Sequence, residues 1–306
     1  MSSSALDIAV RAVAALIMVA LPIAVAVVVR RWPSWNGSSP NQTSWKIFGM
    51  GALCFVVSQI IHVPLLYVIV FPLLKNGLGI DAKDVSLAGL DLVVLALVAG
   101  LMAGLCEEGS RWMFFRSLLK PQADSFPTIL MFGTGHGGCE AILVGLSSLS
   151  ALVTMYIYRH HLPDGLSPED AATMEKQVQD YWAASNGVIL MAPLERVFAM
   201  TLHMAMSLLV WRSFVVQTGR GLTLAILFHT SVDAVAVLVL RIGGVYITEL
   251  LLGLIFFPLA LLIVIHYGRK HTLIASFEAV PQDELSARET QTDVGESQER
   301  VNTEQE

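Results

Sequence analysis

Apolar residues run along this chain in blocks near 7–29, 47–73, 86–119, 126–158, 188–213, 221–242 and 246–267. At 1.5 Å per residue each block is long enough to cross about 30 Å of hydrocarbon. The pattern predicts an all-α fold, a polytopic transmembrane helix bundle of seven spans. The third and fourth blocks exceed one crossing, so a kink or a short extra helix there makes eight spans the alternative. No internal repeat is visible. The longest polar interruption within this region, Arg159 to Asn186, carries Ser167-Pro168-Glu169-Asp170. A cap residue, proline at the first helical position and acids in the first turn predict a surface helix running to about Trp182. The organisation expected is therefore spans 1 and 2 over 1–85, a membrane core over 86–267 with an outer loop at 159–186, and a disordered, acidic cytosolic tail over 268–306.

Composition supports a membrane protein: of 306 residues, 55% are hydrophobic and 14% charged, and mean hydropathy is +0.64. The net charge of −6 arises in the tail, where Glu278 to Glu306 holds nine acids against Arg288 and Arg300. Without a basic patch, nucleic acid is not an expected partner. Cys54, Cys106 and Cys139 fit neither a disulfide framework nor a zinc ribbon. The first apolar block lacks a basic leader and ends in Arg30-Arg31, so it reads as a retained span. Basic residues favour an outside N-terminus and a cytosolic C-terminus, with nine lysines and arginines in the inner loops against five in the outer ones. The sequons at Asn36 and Asn41 oppose this orientation, and are read as unused.

Ionisable side chains are costly at membrane depth and tend to face an interior or a wet cavity. Four blocks carry them in groups: Glu107, Glu108 and Arg111; His136 and Glu140; Glu195, Arg196 and His203; His229 and Asp233. Spacings of four or seven place Glu107 with Arg111, His136 with Glu140, Arg196 with His203, and His229 with Asp233 on shared helix faces. Counted from the inner ends, the groups lie roughly 12 to 18 Å deep, which predicts one polar layer built by four helices. Simpler readings stand beside this. Arg111 and Arg196 could be ion-pair partners for Glu108 and Glu195, lone His62 could hydrogen-bond across helices, and Gly133, Gly135, Gly137 and Gly138 could serve close packing or leave backbone open to a peptide.

Paired glutamates and several histidines, without a convincing serine or cysteine nucleophile, suit activation of water, because a carboxylate held out of bulk water is a stronger proton acceptor. Cys139 is a weaker candidate nucleophile. No cofactor is required by this chemistry. The alternative is zinc, for which His136, His203 and His229 would be the ligands.

"EEGSR" (Glu107 to Arg111) resembles the first motif of the CAAX protease and bacteriocin-processing superfamily of intramembrane proteases. "FGTGHGGCE" resembles its second motif, and "ERVFAMTLHMAMS" and "HTSVD" its third and fourth. The GHGG-x-E and ER-x-x-A-x-x-x-H segments look like the YhfC-type branch, with the PrsW-type proteases more distant. The resemblance covers about residues 86 to 240. It implies hydrolysis of a membrane-associated protein or peptide by a glutamate-activated water, with Glu107 as base, His136 its partner, His229 an oxyanion stabiliser and His203 lining the cavity. Glu108 and Arg111 would orient them, with Glu108 an alternative base, and Glu140, Glu195 and Arg196 would support the site. Asp233 departs from the asparagine of the prenyl proteases. An ionised aspartate cannot donate to an oxyanion, so Asp233 is protonated, orients His229 or binds metal. Competing readings of the same layer are a proton-coupled transporter, a membrane cyclase and an inactive scaffold.

Overall fold

The computed structural model describes residues 5–31, 43–119 and 126–278. The sequons and the acidic tail beyond Glu278 lie outside these residues. Nine α-helices follow one another among the described residues: α1 (Ala5–Arg30), α2 (Trp45–Pro64), α3 (Phe71–Leu78), α4 (Gly89–Ser117), α5 (Phe126–His160), α6 (Pro168–Ala183), α7 (Asn186–Val215), α8 (Arg220–Leu251) and α9 (Phe257–Glu278). Side-chain oxygens of Ser44, Ser167 and Ser185 accept the first free backbone N–H groups of α2, α6 and α7, the standard remedy for orphan donors at helix starts. The outer-loop helix is thus α6.

Six helical runs are long and apolar enough to cross a membrane, the last of them 50 residues, Arg220–Arg269. A straight helix of that length would reach about 75 Å, more than twice the hydrocarbon thickness. It does not run straight. Gly244, with φ 71° and ψ −179°, interrupts it, and its contacts reverse direction there. Before the break, Gly221 lies against Leu209 and Ser213; after it, Gly253 meets Phe198 and Tyr267 meets Trp211. The run is a helical hairpin, so the six runs make seven span-length segments among the described residues. The third and fourth blocks are single helices, α4 and α5. The irregularities fall elsewhere, as π-helical turns at Leu65–Val70 and Leu252–Phe256.

Five helices form a ring in the order α2, α4, α8, α7, α5, with α1 outside α5 and α7 and α9 outside α7. Lipid offers no hydrophobic force to hold helices together, so close backbone approach has to do so. Gly100 and Gly104, four apart on α4, let the carbonyls of Thr230 and Ile226 on α8 come within 2.6 and 2.9 Å of where a Cβ would stand. On α5, a Cβ at Gly133 would lie 2.7 Å from Met204 Cα, at Gly135 2.0 Å from the Phe48 carbonyl and at Gly137 2.7 Å from the His203 ring. These glycines serve helix contact; the alternative of backbone left open to a peptide does not hold for them. The α5 helix packs against α1, α2 and α7.

Candidate active site

Each ring helix turns polar groups inward at one level. Glu107, Glu108 and Arg111 of α4, His136 of α5, Arg196 and His203 of α7 and His229 of α8 are all buried, with Glu108, Arg111 and His136 fully so. Glu140, Glu195 and Asp233 are half-buried. All ten sequence-derived candidates therefore converge, and they join into one chain of charge-assisted contacts. Arg196 pairs with Glu195 and, at 2.7 Å, with Glu140. Glu140 accepts from His203 Nε2 at 2.8 Å. His203 Nδ1 faces an Arg111 Nη2 group 3.1 Å away. Since a guanidinium only donates, Nδ1 is the acceptor and Nε2 carries the hydrogen. Arg111 pairs with Glu108, and Glu108 accepts from His229 Nδ1 at 2.9 Å.

Arginine pairing sorts the carboxylates. Glu108, Glu140 and Glu195 each face an arginine. Glu107 instead accepts from Gln59 Nε2 at 2.9 Å on one oxygen and meets His136 Nε2 at 3.1 Å on the other, with His229 Nε2 3.9 Å away. Asp233 lies 3.5 Å from the same His229 nitrogen. Phe55 packs edge-on against the His136 ring, centroids 5.4 Å apart, and fixes its plane. A cavity of about 120 Å³ opens on this layer, with Glu107, Glu140, Glu195, His203, His229 and Asp233 on its polar side and residues such as Phe198, Leu202, Met206 and Val232 on its apolar side. That volume takes about four waters or one side chain. The thiols of Cys54, Cys106 and Cys139 are free, and none lines the cavity.

The layer also fits a metal. Glu107, His136 and His203 offer ligand atoms all within 4.8 Å of one another, and one carboxylate with two imidazoles is a donor set of catalytic zinc sites. His136 Nδ1 is shielded and without a partner, so its ring is committed to the Nε2 side, toward Glu107. His203 would have to release either Arg111 or Glu140 to ligate. The structure thus gathers Glu107 with two histidines, whereas His229 is tied through Nδ1 to Glu108.

Two participants escaped the sequence reading. Gln59 makes α2 a fifth contributor to a layer expected from four helices; an amide in mid-span was its signal. Glu249, inside the last apolar block, has one carboxylate oxygen shielded and without a partner among the described residues. A third residue reads differently from expectation. His62 has no hydrogen bond across helices: both ring nitrogens are shielded and unpartnered.

The buried layer of histidines and carboxylates in a polytopic helix bundle sets the class of protein as a multi-pass membrane protein with a polar interior, and comparison with known proteins narrows it. The family described as YhfC intramembrane metalloprotease matches residues 17–256, most of the chain. The chain belongs to that family, and with it to the intramembrane proteases of the multi-pass membrane. It is 29% identical over 210 residues to an uncharacterised membrane protein YhfC of Bacillus subtilis (strain 168), covering 65% of this chain and 74% of that protein. No solved structure matches.

Proposed function

We propose that the protein hydrolyses a peptide bond of a membrane-associated protein or peptide, with Glu107 taking the proton from the attacking water. The observation that carries this reading is the sorting of carboxylates: Glu107 faces the cavity without an arginine, while Glu108 is locked against Arg111. A carboxylate neutralised by a guanidinium is a poor base, so Glu107 rather than Glu108 is the base. Gln59 and His136 hold its two oxygens in place for proton transfer, which rewards a fixed geometry. Glu108, anchored by Arg111, orients His229 through Nδ1, and Asp233 flanks Nε2. With carboxylates on both sides the imidazole keeps a hydrogen on Nε2, which points to the cavity and donates to the oxyanion as it forms. Asp233 then serves by orienting His229, and its departure from asparagine ceases to be a difficulty.

Glu107, His136 and His203 are the residues that would hold a zinc ion; Glu107 would then be a ligand in place of a free base, and the ion would supply Lewis acidity, which eases deprotonation of water. The basic residues of the loops favour an outside N-terminus and a cytosolic C-terminus, so the layer lies nearer the cytosol. The test is cleavage of a synthetic library of single-span transmembrane peptides, some farnesylated, by purified protein in proteoliposomes. Wild type should cleave, His229→Ala and Glu107→Gln should cleave at least about a hundredfold more slowly, and a chelator should abolish activity where zinc takes part. A folded wild type that cleaves no peptide of the library counts against the proposal, and cleavage at the wild-type rate in Glu107→Gln overturns it.

A further inference from the structure

His62 stands outside the contact chain just described, one turn of α2 away from it. It lies three residues beyond Gln59 on α2, so the two side chains share a helix face, and Gln59 touches Glu107. Asp233 lies one helical turn beyond His229 on α8. Because α2 and α8 both run away from the end that carries Arg30, His62 and Asp233 each stand one helical turn beyond the residue of their own helix that meets Glu107. The ring nitrogens of His62 are both shielded and unpartnered, a costly state for a polar group away from water. A π-helical turn begins three residues later, at Leu65, an irregularity often found where a helix carries function.

A substrate segment unwound for hydrolysis exposes backbone N–H and C=O groups that lipid cannot satisfy. The charged groups of the layer are already engaged with one another, whereas His62 has a donor and an acceptor to spare. We infer that His62 is a substrate-binding residue that hydrogen-bonds the peptide backbone next to the scissile bond, across from Asp233. This rests on the hydrolytic reading of the layer.

Two measurements test it. In the cleavage assay, His62→Phe should raise KM for a cleaved transmembrane peptide about tenfold, the weight of one good hydrogen bond, with kcat within about threefold, and His62→Gln, which keeps a donor and an acceptor, should restore part of the loss. An unchanged KM in a folded His62→Phe protein overturns the inference. Binding is read apart from cleavage by placing a photo-crosslinking amino acid at position 62 of Glu107→Gln protein and irradiating it with the same peptide library. Crosslinks confined to one or two adjacent peptide positions support the inference even where wild type cleaves nothing, in which case the hydrolytic reading alone fails. No crosslink to any peptide overturns it.

Discussion

Glu107 and Glu108 are neighbours of identical chemistry, and their surroundings give one substitution opposite consequences. In Glu108→Gln the fully buried Arg111 keeps its charge and loses the anion that faces it. Removing one member of a buried pair costs about 3 to 5 kcal/mol; the glutamine oxygen still accepts from Arg111, which places this case near about 3 kcal/mol. At about 2 to 4 °C per kcal/mol, the apparent Tm should fall by about 6 to 12 °C. In Glu107→Gln no arginine is stranded. Gln59 still finds an oxygen, and the new amide can donate to His136 Nε2 once the ring hydrogen moves to Nδ1, where no partner competes. Stability should then change by no more than about 1 kcal/mol, while kcat drops about a hundredfold to ten-thousandfold, the weight of a general base. Intrinsic tryptophan fluorescence during heating in detergent, run beside peptide cleavage, reads both. A Glu107→Gln protein that melts as early as Glu108→Gln would refute the assignment, as would a Glu108→Gln protein with unchanged Tm.

Further outcomes follow from the same contacts. Gly135→Ala places a Cβ 2.0 Å from the Phe48 carbonyl, so α2 and α5 must part at a cost of about 1 to 3 kcal/mol, whereas Gly49→Ala, with nothing within 4 Å, should leave the Tm unchanged; equal melting of the two would count against packing as the role of the α5 glycines. Where zinc takes part, metal analysis of purified protein should find markedly less of it in His136→Ala than in wild type, and equal contents would remove His136 from the ligand set. Single cysteines introduced between Arg31 and Thr43 should react with a membrane-impermeant reagent only after the membrane is opened; labelling of intact cells would invert the orientation proposed from the basic residues.

The spans were legible because a bilayer imposes a length on every apolar block, and the site because ionisable groups stand out against such blocks. Spacings of four fixed which groups share a face, so the convergence of His136 with Glu140 and of His229 with Asp233 could be read from numbers alone. Pairing across helices could not. Nothing in the sequence says that Arg196 bridges Glu140 as well as Glu195, since that depends on how α7 is rotated against α5. Gln59 was overlooked because an uncharged amide disturbs an apolar block little. The hairpin break sits at Gly244, beside Gly243, where two apolar blocks already seemed to be separated; the glycine supplies the positive φ that ends the first of them.

The most direct measurement of the central claim is product analysis in heavy-oxygen water. Peptides cleaved by wild type and by Cys139→Ala should each yield a fragment whose new C-terminus carries one heavy-oxygen atom from the solvent, and Glu107→Gln should form it at least about a hundredfold more slowly. Labelled product at the wild-type rate from Glu107→Gln, or its loss in a folded Cys139→Ala, would contradict a water activated by Glu107.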